Sequence, residues 1–167
     1  MTLVVRSTTV IEATQTATAD LSSPVDPLAI TKRVDLASGV GANQADLMFH
    51  DRRTLAASGT EDLDLAGVLV DKFGTTLTFA RIKEVWIVAA AANTNNVNVT
   101  RPAANGVPLF LAAGDGLPVL PGGVFHWIAP NAAGIAVTAG TGDLLTVTNS
   151  AAGTGVTYDV VIIGASA

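Results

Sequence analysis

TTLTFARIKEVWIVAAAA, residues 75–92, is the longest largely apolar stretch of the chain and carries one of its two tryptophans. Leu77 and Phe79 alternate with Thr76, Thr78 and Ala80, the period of a half-buried strand. At Ala80–Lys83 the alternation slips, as it does at a β-bulge or through a single helical turn. Val85, Trp86, Ile87 and Val88 are then apolar on both faces, the pattern of a strand covered on both sides. Such a strand needs paired neighbours, and the polar run Asn93-Thr94-Asn95-Asn96 gives the chain a place to reverse.

Downstream, short apolar runs supply those neighbours: Val97–Arg101, Val107–Leu111, Val119-Leu120, Val124–Ile128, Ile135–Thr138, Leu144–Thr148 and Val156–Ile163. Between them lie AANG, AAGDG, PGG, PNAAG, AGTGD and NSAAGTG, clusters that supply tight or left-handed backbone positions. Upstream, Leu28–Leu36 and Leu47–Leu55 read as strands around the loop SGVGAN, and Leu63 and Leu65 alternate with Asp62 and Asp64. Leu69, Val70 and Phe73 fit one helical turn or a packed loop. Short strands at this spacing, with no sustained helical period, give an all-β chain built as an antiparallel β-sandwich. The final strand reads as central, because Val156, Tyr158, Val160 and Ile162 share one face while Val161 and Ile163 fill the other. A central strand at the end of the chain is a jelly-roll-like feature.

Residues 1–27 differ. Leu3, Val4, Val5, Val10 and Ile11 are scattered among Thr, Ser and Gln, and Ser22-Ser23-Pro24 and Pro27 follow. β-Branched and Thr-rich composition favours extended backbone, yet this segment has too little apolar material for a core of its own. It is expected to be an extended arm that binds a neighbouring subunit or another protein, or else the first strand of the sandwich. Residues 28–167 form the sandwich domain.

Composition narrows the function. Charged residues make up only 14% of the 167, against about a quarter in ordinary domains, so another protein can cover this surface with few ions to strip of water. A net charge of −5 and no basic run longer than the pair Arg52-Arg53 argue against nucleic acid as a partner. The longest unbroken apolar run, Val85–Ala92, is less than half of a membrane span, and no apolar signal core follows the N-terminus. A protein made in a cytoplasm, with no membrane partner, is expected.

Candidate chemistry is sparse. Without cysteine there is no disulfide or thiolate site. His50-Asp51 is a conceivable base and orienter, and Glu61, Asp62 and Asp64 a conceivable calcium site, but each is explained more simply by an exposed strand face. His126 lies between Phe125 and Trp127 as a polar-face residue, with Trp127 the candidate stacking surface of a lectin-like module. The glycine clusters match no phosphate or nucleophile motif. Neither enzymatic activity, cofactor nor metal is expected.

The runs from Gly41 to Val99 and from Leu120 to Ser166 resemble a group of small tailed-bacteriophage virion proteins. The DLAG segment, the TLTFARIK strand, the NTNNV turn, the PGG before an aromatic strand and the VTYDVVIIG ending carry the likeness. Within that group the resemblance is to capsid decoration, or cement, proteins with jelly-roll-like folds. It implies a homo-oligomer, a homotrimer ahead of a homodimer, bound to the major capsid protein on the outer surface of the head. The alternative it implies is a spike, neck or tail-fibre module that binds receptor or carbohydrate.

Overall fold

Alternating side chains and frequent turn residues leave this chain nothing to build with but strands. The computed structural model describes residues 2–167 and contains no helix among them. The strands of the first half are β1 (Val5–Thr16), β2 (Val25–Ser38), β3 (Gln44–Ala45), β4 (Leu47–Leu55), β5 (Thr60–Asp64), β6 (Ala66–Val70) and β7 (Thr76–Thr78). Those of the second are β8 (Arg81–Ala89), β9 (Val97–Thr100), β10 (Gly116–Val119), β11 (Val124–Ile128), β12 (Ile135–Ala136), β13 (Leu144–Asn149) and β14 (Val156–Ala165).

Two antiparallel sheets make the sandwich. One has the order β11-β8-β14-β4, with β12 also on β8, and the other the order β10-β9-β13-β5. Phe49, Val85, Ile87, Tyr158, Val160 and Ile162 from the first meet Leu63, Val97, Val99, Leu145 and Val147 from the second in one buried core. Leu77, Phe79 and Val137 join this core, whereas Ile128 is only half-buried, on the outer face of the first sheet.

The slip read at Ala80–Lys83 is a bulge. Ile163 pairs with Glu84 but Gly164 pairs with Ile82, so Lys83 is the extra residue of β8. A Cβ at Gly164 would lie 2.1 Å from the Arg81 carbonyl, which makes glycine obligatory there. The bulge turns Lys83 inward, where its ammonium donates to the carbonyls of Asn131 and Ala132. Burial, and then the charge of Arg81, hold that amine below its usual range.

Three local expectations change. Val107–Leu111 is a loop rather than a strand, with Pro108 supplying no donor for a ladder. Leu69 and Val70 belong to β6, while Phe73 sits in a turn closed by its own and Thr75's amides donating to Asp71. The central strand is fully buried only inward: Val85 and Ile87 are inaccessible, but Trp86 and Val88 on its outer face are half-buried.

β1 and β2 form a long hairpin, paired from Val5↔Leu36 out to Thr16↔Val25. Its tip is closed by the Ala17 amide donating to Pro24 O and the Ala19 amide to Ser22 O. The expected boundary after Pro27 lies inside β2, so the extended segment continues to Ser38.

Candidate functional site

The site grows from the outer face of the β11-β8-β14-β4 sheet. Register places three rows of side chains across it: Val124, Val88, Asp159 and Arg52; His126, Trp86, Val161 and His50; Ile128, Glu84, Ile163 and Met48. Period two puts Val5, Ser7, Thr9, Ile11 and Ala13 on one hairpin face, beside their partners Leu36, Val34, Lys32, Ile30 and Leu28. The base of that face lies on the third row. Val34, Leu36, Ala45 and Ile163 are buried together there, with Leu3, Val5, Met48, Ile128 and Val161 packed around them.

A polar clasp fixes the crossing. Ser7 Oγ donates to Glu84 Oε1 at 2.7 Å, and His126 Nε2 lies 2.8 Å from the same oxygen. Facing a carboxylate, Nε2 carries the ring proton, leaving Nδ1 to accept from Thr9 Oγ1 at 3.4 Å. Glu84 is 6% exposed and its Oε2 has no hydrogen-bond partner.

His126 belongs to β11, the edge strand of its sheet. Past Thr9 the hairpin therefore has no strand beneath it, and from Thr8 to Arg33 every residue is exposed. Seven cross-strand pairs, Val10↔Thr31 to Thr16↔Val25, project about 24 Å at 3.4 Å per residue. Ile11, Leu28 and Ile30 continue the packing face at 54%, 48% and 51% exposure, while Val10 and Val25 stand on the opposite face.

The five residues singled out from the sequence thus separate. Leu3 and Val5 pack on the chain's own sheet, Val4 is exposed, and Val10 and Ile11 sit on opposite faces of the projecting ribbon. Val25, Leu28 and Ile30 of the returning strand join them and were missed. Their signal was available: Leu28 and Ile30 alternate with Pro27, Ala29 and Thr31, just after the turn residues Ser22-Ser23-Pro24.

Comparison of the chain with protein families, curated proteins and solved structures finds no match.

The residues weighed for chemistry are dispersed. His50 is exposed on the outer face of β4, whereas Asp51 points the other way to Lys72 and Arg53. Glu61 accepts from the Tyr158 hydroxyl at 2.7 Å and from Arg53. Asp62 accepts from Thr146, and Asp64 from the Ala66 amide. The three carboxylates read as a conceivable calcium set therefore share no partner, and among the described residues no three His, Asp or Glu gather at a metal-binding spacing. Burial, and then the bond to Glu61, hold the Tyr158 hydroxyl far above the usual phenol range. Trp127 is half-buried against the core, its Cα opposite Val85.

Proposed function

We propose that this chain is a non-enzymatic virion protein that decorates and cements the outside of a bacteriophage head as a homo-oligomer, a trimer by preference. One observation carries the reading. A sandwich with few charges projects a ribbon about 24 Å long whose apolar side chains face water on both sides. Two-stranded ribbons are marginal on their own, so this one is made to be covered by protein.

Topology supports the jelly-roll part of the reading. After β4 the chain crosses to β5, returns to β8, crosses again to β9 and β10, returns to β11, crosses to β13 and ends on β14. The resulting orders are those of two interleaved Greek keys, an arrangement used by viral capsid and lectin domains. The major capsid protein would be the partner on the particle, recognised through area and repetition rather than through charge. Many copies on one shell make even a weak contact persist, because neighbouring attachments raise the effective concentration.

The test is quantitative mass spectrometry of purified virions of the encoding phage, followed by add-back of the purified protein to heads lacking it. Stoichiometric copy number relative to the shell protein, and heads that resist heat better after add-back, are expected. A copy number matching a single tail or vertex, or glycan binding that Trp127→Ala removes, would replace the cement reading with the spike or fibre one.

A further inference from the structure

We infer that the distal hairpin, Val10 to Thr31, is exchanged between copies of this chain. Its Ile11–Ile30–Leu28 face lies on the Trp86–Val88–Val161 strip of a second copy's outer sheet. The inference rests on the oligomer half of the proposed function and is independent of the capsid half.

The chain carries two unfinished surfaces of matching kind. On the ribbon, Ile11, Leu28 and Ile30 are each about half exposed on the face whose base is already buried. On the body, the hairpin base covers the Ile128–Glu84–Ile163–Met48 row and touches the next one at His126 and Val161. Trp86, Val88 and Val161 in the next two rows remain half-buried, and Val124 at the edge is 56% exposed. What the hairpin base does to the covered row, laying aliphatic side chains of one face on the sheet, its distal half is built to do to an uncovered one.

The chain's own strip is out of reach. The ribbon crosses the sheet toward β11, is clasped at His126 by Ser7 and Thr9, and runs off that edge. A partner must supply the sheet, and another copy supplies it in the right number. Each chain offers one ribbon and one strip, so a closed ring of copies leaves neither uncovered.

Charge agrees along the ribbon from Val10 to Thr31. Its only charged residues are Glu12, Asp20 and Asp26, and Glu12 falls on the opposite face from Ile11 and Ile30. On the ribbon side docking therefore strips few ions of water, and on the body the Asp159 and Arg52 that end the Val88 row are already paired with each other.

The protein has no cysteine, which makes the decisive experiment clean. Ile30→Cys and Val88→Cys proteins carrying different tags are mixed, equilibrated and oxidised. A disulfide-linked pair containing one of each, formed far faster than either protein links to itself, is expected. Sedimentation supplies the second arm: Ile30→Asp, at an exposed position, should keep the wild-type melting profile while weakening self-association at least about thirtyfold. Wild-type protein that sediments as a monomer at about 100 µM overturns the inference, leaving the ribbon for a different partner. So does an Ile30→Asp oligomer as tight as the wild type. Neither result bears on attachment to heads, so the capsid reading stands or falls separately.

Discussion

At Val5 and Ser7 the hairpin buries its partners Leu36 and Val34 to 1% and 7% exposure, while Ile11 and Ile30, further along the same face, are half exposed. The two halves share one pairing register, one side-chain period and much the same composition. What separates them is a sheet edge: the proximal half lies over β14, β8 and β11, and the distal half lies over nothing. Strand formation is thus local here, while burial is decided by what the strand happens to cross.

The largest effect should come from the sandwich core, against which both halves can be judged. Ile87→Ala removes a fully buried side chain and should cost about 2–5 kcal/mol in urea unfolding. Ile30→Ala, measured in dilute monomer, should stay within about 0.5 kcal/mol. Leu36→Ala belongs with the core: at 1% exposure it should cost about 2–3 kcal/mol. If Leu36→Ala proves as mild as Ile30→Ala, the base of the hairpin is merely resting on the sandwich and the contrast between the halves disappears.

Much of this could be read from the residues. The alternation of Leu77 and Phe79, the slip before Val85 and the two-faced ending Val156–Ile163 gave the strands, an irregularity that was either a bulge or a helical turn and proves to be a bulge, and the central position of β14. The hairpin was harder because Leu28–Leu36 looks like any sandwich strand, and pairing with residues 5–16 depends on a partner twenty residues earlier. The half-covered face of Trp86 was beyond sequence reasoning, since Val-Trp-Ile-Val reads as apolar on both sides whether or not anything covers it. Lys83 and Glu84 were hidden differently: the bulge makes Lys83 an extra residue turned inward, and Glu84, in regular alternation on the outer face, is buried only because the hairpin base crosses it.

A medium effect probes the rim of the sandwich and leaves the hairpin alone. Tyr158→Phe keeps the buried ring but removes the donor to Glu61, and should cost about 1–3 kcal/mol at neutral pH. The pH dependence follows from the sign of the shift. The unfolded tyrosine loses its proton near the usual value of 10.0, whereas the folded one holds its proton well above that. Above this value the unfolded state binds fewer protons than the native one, so stability falls as pH rises. The wild type should therefore lose stability more steeply above pH 10 than Tyr158→Phe does. Parallel alkaline limbs for the two proteins would mean the hydroxyl is not held as the structure has it.

The smallest effect is the most informative about the hairpin, because it asks whether the ribbon opens as one unit or two. Ser7→Ala removes the hydroxyl that donates to Glu84 Oε1, and His126 remains as that oxygen's partner. Losing one part-buried hydrogen bond of this kind costs about 0.5–1.5 kcal/mol, a change easily lost in a global melt. Native-state hydrogen exchange resolves it. If the base is a local clasp, amides of β1 and β2 around Ser7 and Val34 should exchange about 2- to 10-fold faster in Ser7→Ala, the factor that such an energy implies for a local opening. Amides from Ile11 outward should be unchanged, since their opening already requires no disruption of the sandwich. A uniform acceleration along the ribbon would show that base and tip open together. The edge of β11 would then no longer divide the hairpin, and the distal half would owe its order to the clasp rather than to a partner.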